Sequence, residues 1–216
     1  MSSASKVISY FLRLFPGWEV SAMDASGSSG GILCIWNPMV CELRAYSTVA
    51  GLLLIGCLRG CNSECKILNV YGPYKDRTIF WDRLDASGLL HDLGLLLLGD
   101  LNFTLSPTEV WGTAVWDPLM EYFNTMLREN GLIDLRPVVL GPTWRNGRTA
   151  DKGISKRLDR FLMAEQLVMD FHRYRVWHVE SLVSDHYPIC LQLDLEGERH
   201  AYPFKYNHHW MEYPDF

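Results

Sequence analysis

The feature that most constrains the fold is an apolar run, Leu93–Leu98, which stops at a glycine and is followed by two polar side chains. A continuous apolar run between turn residues predicts a strand buried on both faces. Asp100 and Asn102 are two positions apart, so in an extended chain their side chains point the same way. An acid beside an amide at a strand end suits a hard cation or a phosphate-bound water, although a simple turn explains the same residues.

The composition is that of a globular protein with a sizeable core. Hydrophobic residues make up 48% and charged residues 21% of the 216 positions, which is enough for one large domain or two small ones. No apolar run approaches the ~18 residues of a membrane span, and the N-terminal residues lack the apolar centre of a secretory signal. We therefore expect a nuclear or cytoplasmic protein with no membrane association.

Three of the six cysteines recur every fourth residue, at Cys57, Cys61 and Cys65. Such spacing raises the question of a zinc site, but the sequence has no Cys-x-x-Cys and no nearby His to complete a tetrahedral set. Cys57 ends one apolar segment and Cys65 begins the next, so a β-hairpin is the simpler interpretation. We predict free thiols and no bound zinc.

The charge is acidic overall, at −5, but unevenly distributed. A strongly basic chain would have indicated nucleic-acid binding, and that bias is absent. The segment between Thr143 and Arg160 nevertheless contains six basic and two acidic residues, a local excess of +4. Such a run is commonly a solvated loop, and its alternative role is contact with phosphates.

The remaining pattern predicts more strands than helices, with the helices between the strand groups. Helices are expected at 5–14, Arg77–Leu84 and 117–130. Strands are expected at Trp18–Ala22, Ile32–Trp36, 40–47, 49–58, Cys65–Val70, Leu132–Leu135, Arg157–Leu162, Val176–Leu182 and Tyr187–Leu193. We predict an α/β fold in which two packed, mainly antiparallel β-sheets are flanked by helices in a four-layer sandwich.

Four predicted strand ends carry polar side chains. These are Tyr71, the Asp100/Asn102 pair, Asp159 and the Asp185/His186 pair. Three carboxylates, an amide and an imidazole suit metal-assisted attack on a phosphate, in which a carboxylate fixes the histidine tautomer. Each residue alone could be an ordinary polar group, but polar side chains at all four strand ends favour a single shared site.

Several motifs occur in the order found in the endonuclease/exonuclease/phosphatase superfamily. They are Ser29-Gly30-Gly31, Asn69-Val70-Tyr71-Gly72-Pro73, Gly99-Asp100-Leu101-Asn102, Trp111-Gly112 with Asp117-Pro118-Leu119, Pro142-Thr143-Trp144, Arg157 to Leu162 and Ser184-Asp185-His186. Over essentially the whole chain the sequence resembles the endonuclease domain of plant retrotransposons that lack long terminal repeats. Leu101 stands where the family usually has Phe.

The resemblance implies a role for each site residue. Asp100 and Asn102 would orient the attacking water, His186 would contact the scissile phosphate with Asp159 behind it, and Tyr71 would support the phosphate or the leaving group. The metal ligands would be Asp100, Asn102 and Asp185, holding Mg²⁺ or, as an alternative, Mn²⁺. DNA would be the partner, contacted by Trp144, Arg145, Arg148 and Arg157, with no obligate protein partner evident.

One departure from the family lies at the start of the chain. The family opens with a strand ending in Asn and a second strand ending in the Glu that is its main magnesium ligand, and Met1 falls just after that Glu. We therefore expect an N-terminally incomplete domain at 1–195, lacking N-terminal strands and with reduced metal affinity, and a tail at 196–216 leading toward an absent reverse transcriptase. This leaves open a weakened nuclease, a non-catalytic relic that at most binds nucleic acid, and a small-molecule phosphatase.

Overall fold

The computed structural model describes residues 4–25, 31–61, 63–113, 115–148, 152–181 and 183–195. Its helices are α1 (Ala4–Leu14), α2 (Arg77–Ala86), α3 (Met120–Glu129) and α4 (Glu165–Met169). Its strands are β1 (Glu19–Met23), β2 (Ile32–Trp36), β3 (Cys41–Ser47), β4 (Gly51–Leu58), β5 (Glu64–Tyr71), β6 (Leu95–Asp100), β7 (Val110–Gly112), β8 (Leu132–Asp134), β9 (Trp144–Arg145), β10 (Ile154–Lys156), β11 (Asp159–Ala164), β12 (Phe171–His178) and β13 (Ile189–Leu195). Short 3₁₀ helices lie at Leu89–His91 and Pro107–Glu109.

A six-stranded sheet in the order β3-β4-β5-β6-β11-β8 forms the centre of the molecule. The β5–β6 pair is parallel and the other pairs are antiparallel. The apolar run of the sequence is β6, the partner of both β5 and β11, and its residues Leu95, Leu96 and Leu97 are buried. The prediction of a central strand covered on both faces is therefore confirmed.

One face of this sheet packs against the helices. The register aligns Leu68, Leu97 and Leu162 across three strands, and paired residues on adjacent strands share a face. These leucines belong to one apolar cluster with Trp81 of α2 and Phe123 of α3, both fully buried. Apolar residues at helical spacing along α3 explain why this helix lies on the sheet.

Two β-hairpins cover parts of the opposite face. The register places Asn69, Leu98 and Phe161 in one row on this face. At one end of the row the Asn69 amide donates to Cys34 Sγ in the β1–β2 hairpin at 3.5 Å. At the other end Phe161 lines a small cavity with Val176 and Ile189 of the β12–β13 hairpin. A third small sheet, β7-β10-β9, lies at the side.

The α/β class and the mainly antiparallel sheets are thus as the sequence predicted. The predicted loss of N-terminal strands stays a prediction. Among the described residues, no helix has both the length and the apolarity to cross a membrane. The tail at 196–216 and residues 26–30 of the Gly/Ser-rich loop lie outside the described residues.

Several predicted strand boundaries were wrong. β11 starts at Asp159 rather than Arg157, because the amides of Leu158 and Asp159 both donate to Thr143 Oγ1 at 2.9 Å. β12 runs from Phe171 to His178 rather than from Val176 to Leu182, since Arg173 and Arg175 interrupt the apolar pattern; residues 179–181 are outside any strand, and Leu182 lies outside the described residues. β13 begins and ends two residues later than predicted, at Ile189 and Leu195.

Candidate active site

Three neighbouring strands of the central sheet bring polar side chains to the same end. The register pairs Tyr71 of β5 with Asp100 of β6, and Asp100 with Asp159 of β11. Paired residues on adjacent strands present their side chains on one face, with strands about 4.8 Å apart. Tyr71, Asp100 and Asp159 therefore lie side by side, and two carboxylates are held as near neighbours.

Asn102 is fixed beside Asp100 by a left-handed turn of the backbone. Its φ is +54°, in the region that Asn tolerates better than most residues. The Asn102 backbone N–H donates to Asp100 Oδ1 at 3.1 Å, and its side-chain NH₂ donates to Gly72 O at 2.6 Å and to Asp100 Oδ2 at 3.3 Å. Because the NH₂ is committed, the side-chain oxygen remains as the acceptor for a ligand.

His186 completes the group from a loop between the strands of the β12–β13 hairpin. Its Nδ1 lies 2.9 Å from Asp159 Oδ2, and its Nε2 lies 3.9 Å from Asp100 Oδ2. The first distance is a hydrogen bond and the second is too long for one. The Asp159 carboxylate can only accept, so Nδ1 carries a proton and Nε2 is left to meet a ligand.

A short segment, Thr143–Arg145, forms hydrogen bonds near both Asp159 and His186. Thr143 Oγ1 accepts from the amides at the start of β11, as described above. Trp144 forms a β-bridge with His186, and the Arg145 amide donates to Asp185 O at 2.9 Å. The Trp144 indole N–H donates to Asp185 Oδ2 at 3.0 Å. One segment therefore sets where Asp159, Asp185 and His186 lie relative to one another.

The carboxylates affect the pKa values of the site. Burial, with a second contribution from the Asp159 carboxylate, raises the pKa of Asp100 to about 6. The hydrogen bond to Asp159 raises the pKa of His186 above its ordinary value. A carboxyl with a pKa of about 6 beside an imidazole with a raised pKa is suited to proton transfer.

The structure corrects the assignment of Arg157 as a nucleic-acid contact. Its side chain is 3% exposed and donates to Glu109 at 2.9 Å and to both oxygens of Asp134 at 2.7 and 2.8 Å. Arg160 is also fully buried and pairs with Glu109 and Asp134. Two of the six basic residues behind the local excess of +4 are therefore buried, and Glu109 and Asp134 neutralise their charges.

The other predicted nucleic-acid contacts differ in exposure. Arg148 is exposed, and its backbone N–H donates to Asn146 Oδ1 at 3.1 Å. Arg145 is half-buried, donates to Ser181 O at 3.1 Å and lies 5.1 Å from the ring centre of Tyr187. Trp144 is half-buried and committed to Asp185 through its indole N–H.

The chain is similar to several solved structures over most of its length. It is 18% identical to the endonuclease domain of TRAS1, a telomere-specific non-LTR retrotransposon, with a TM-score of 0.63 over 92% of this chain and 95% of that one. It is 17% identical to the 3′ phosphatase NExo from Neisseria, with a TM-score of 0.65 over 89% and 85% of the chains. It is 14% identical to the AP endonuclease LMAP from Leishmania major, with a TM-score of 0.64 over 83% and 71%. No protein-family model and no curated protein matches the sequence.

The chain has the endonuclease/exonuclease/phosphatase fold. In this example of the fold, the donor chemistry near Asp100 fits a hard divalent cation. Three carboxylates face one imidazole, and their repulsion contributes to the raised pKa of Asp100. No three His, Cys, Asp or Glu side chains among the described residues are arranged to hold a metal. Mg²⁺ is typically held by one or two carboxylates and keeps several waters, and Asp100 with Asn102 fits that mode.

Sequence reasoning missed the residues that support the site. Thr143 was noted only as part of a motif, although its buried hydroxyl anchors the start of β11. Glu109 carried no signal at all, because a lone Glu before a Trp-Gly pair looks like any loop acid. Arg77 was read as the start of a helix, yet it donates to Asn102 O at 3.0 Å and bonds both oxygens of Asp117.

Proposed function

We propose that the chain is a nuclease-like phosphodiesterase that nicks DNA by water attack on a phosphodiester. The observation that carries the proposal is the Asp159–His186 pair, bonded at 2.9 Å, whose free ring nitrogen faces the Asp100 carboxylate at 3.9 Å. A histidine oriented by one acid and facing a second acid with a raised pKa is an arrangement for general acid–base chemistry.

Each residue then has a defined task. Asp159 keeps the proton on Nδ1, so a protonated His186 presents Nε2–H to a phosphate oxygen. Asp100, with the Asn102 carboxamide beside it, orients the attacking water and accepts its proton as the P–O ester bond breaks. Tyr71, paired with Asp100 across the strands, lies at the edge of the site and is 39% exposed, so its hydroxyl can support the phosphate or the leaving oxygen.

A divalent cation, Mg²⁺ or Mn²⁺, belongs to this proposal. Asp100 and Asn102 would hold it, with Asp185 as the further carboxylate, and the ion would neutralise charge on the phosphate. Burial, together with repulsion from the Asp159 carboxylate, raises the pKa of Asp100, and a nearby cation would offset both because it favours the ionised carboxyl.

DNA is the substrate class that the comparisons support. The TRAS1 domain is an endonuclease of a retrotransposon, and the Neisseria phosphatase was solved with a product DNA hairpin. The exposed Arg148, three residues after Thr143–Arg145, offers a contact to a flanking phosphate. Removal of a terminal phosphate from DNA is the second candidate, since the Neisseria protein is a 3′ phosphatase solved with product DNA.

We also propose that the activity is weak at acidic pH. Below about pH 6 Asp100 carries a proton and cannot ligate a cation well. A site that depends on one such carboxyl loses metal affinity, and the metal contribution is worth several kcal/mol at the transition state. A non-catalytic relic, which binds nucleic acid without cutting it, would be the extreme case of this loss of metal affinity.

The test is nicking of supercoiled plasmid in magnesium and in EDTA. We expect slow nicking that requires the cation and rises with pH through about 6. His186→Ala should abolish it, while His91→Ala, at an exposed histidine of a 3₁₀ helix, should not. Nicking that is unchanged in EDTA or in His186→Ala would refute the proposed site.

A parallel binding test examines the DNA contacts. Arg148→Ala should weaken binding and reduce its dependence on salt, since each neutralised phosphate contributes to the salt slope. Arg128→Ala, which removes an exposed arginine at the end of α3, is the matched control. Affinity that does not change between low and moderate salt would argue against phosphate contacts.

A further inference from the structure

A groove of about 510 Å³ lies beside the candidate site, between the turn that joins β3 to β4 and the helix α2. Its apolar wall includes Val49, Pro73, Ile79 and Phe80, and its basic side chains are Lys75 and Arg83. Val49 and Ile79 are exposed at 102% and 51%. This size is typical of pockets that take a small organic group.

The groove is continuous with the candidate site along the backbone. Gly51 pairs with Val70, so the turn before β4 lies at the same end of the sheet as Tyr71 and Asp100. The Gly72 amide donates to Asp100 O at 2.7 Å, and the next residue, Pro73, lines the groove. Two strand spacings separate β4 from β6, which is about 10 Å, or about three base-pair steps of a DNA strand.

The side chains along this path are aromatic near the candidate site and basic further along the groove. Tyr71 and Tyr74 are 39% and 84% exposed, and Lys75 follows Tyr74 in the sequence and lines the groove. Arg83 lies further along α2 and is exposed. Aromatic faces that stack bases and cations that track the backbone are the two components of single-strand binding sites. One acid, Asp76, lines the groove against these two cations.

We infer that this groove, which we call the α2 groove, binds an unpaired nucleotide of the DNA strand that is cut at His186. The base would lie on the apolar wall, and the phosphates would pass Tyr74 and Lys75 on the way from the site. An apolar wall favours an unpaired base, because a base within a duplex is stacked on its neighbours and has no free face to offer. The inference rests on the proposed function, which fixes where the strand is cut. It adds a substrate class, namely DNA that is single-stranded or frayed at the cut.

Binding in EDTA separates this inference from the chemistry. The probe is a fluorescent single-stranded oligonucleotide of 15 thymidines, compared with a duplex of the same length. We expect the wild-type protein to prefer the single strand. Ile79→Glu combined with Arg83→Glu should weaken single-strand binding by about tenfold or more, the scale of one lost stacked base. Both positions are exposed, so the folded state should persist.

Arg128→Glu is the control for the Arg83→Glu component, because it makes the same charge reversal in the last turn of α3, and Val138→Glu, at an exposed position outside the groove, is added to it to match Ile79→Glu. Equal single-strand affinity in the groove variant and this double control would overturn the inference, as would a preference of the wild type for duplex. Hydrolysis of bis(p-nitrophenyl) phosphate, which does not need the groove, reports the chemistry alone. If the wild-type protein does not hydrolyse this compound, the proposed function is contradicted. If the groove variant hydrolyses the compound as fast as the wild type but binds the oligonucleotide poorly, the α2 groove is supported.

Discussion

Replacing Asp100 with Asn should stabilise the protein while removing its proposed activity. The Asp100 side chain is 12% exposed, and burial beside the Asp159 carboxylate raises its pKa from 3.8 to about 6. The folded state therefore holds the proton more tightly than the unfolded state. The free energy of unfolding of the wild type therefore falls as pH rises from about 4 to about 6 and levels off above that, because the folded state must give up a proton that it binds more tightly than the unfolded state does.

The size of the effect follows from the shift. A difference of about two pKa units corresponds to about 3 kcal/mol at a pH well above 6. Asn at this position retains an oxygen for the Asn102 backbone N–H but loses the contact with the Asn102 NH₂ group, which costs about 1 kcal/mol. We expect a net gain of about 2 kcal/mol near pH 8 that turns into a loss of up to about 1 kcal/mol near pH 4, where only the lost hydrogen bond remains.

Urea unfolding followed by tryptophan fluorescence measures this directly, since the chain has eight Trp residues. Asp76→Asn is the matched control, because it makes the same change at an exposed carboxylate whose backbone φ of +52° Asn also accepts. The reasoning fails if Asp100→Asn is destabilised near pH 8, or if its gain has the same size at both pH values.

Three further predictions concern other parts of the molecule. Asp159→Asn should slow nicking by about 100-fold or more, because it no longer fixes the His186 tautomer; a rate near that of the wild type would contradict the pairing. Arg160→Met should destabilise by about 3–5 kcal/mol, because it leaves the buried Glu109 short of a partner, and the double variant with Glu109→Gln should recover part of that loss in urea unfolding. Metal analysis of the purified protein should find no stoichiometric zinc, because burial raises the pKa of Cys65 to about 11 and keeps it a thiol; zinc lost on Cys61→Ala would show otherwise.

The fold was largely predictable because its strongest signals are local. The apolar run of β6 needs only its own composition to be recognised as a central strand, and α3 needs only its own periodicity. The hairpin that contains Cys57 and Cys65 was also predicted correctly, with the two residues on opposite strands. Boundaries failed where a distant hydroxyl, that of Thr143, replaced the expected backbone partners of Asp159.

The charge pattern was the least informative part of the sequence. Arg157 and Arg160 look like members of a basic loop, yet they point inward because Glu109 and Asp134 are brought to them by folding. The two acids lie 48 and 23 positions before Arg157. No local pattern joins residues so far apart, so sequence reasoning alone could not tell a solvated arginine from a buried one.

The hairpin of β9 and β10 is closed by a single side chain. Asn146 Oδ1 accepts from the amides of Arg148 and Ile154 at 3.1 Å, and its NH₂ donates to Lys152 O at 2.9 Å. The bonds described above that fix Asp159 and His186 come from residues before Asn146. Gly147 and Arg148, the exposed residues just beyond Asn146, take no part in those bonds. Substitutions there should leave the Asp–His geometry as it is, so the proposed DNA contact at Arg148 and the proposed chemistry at His186 can change independently.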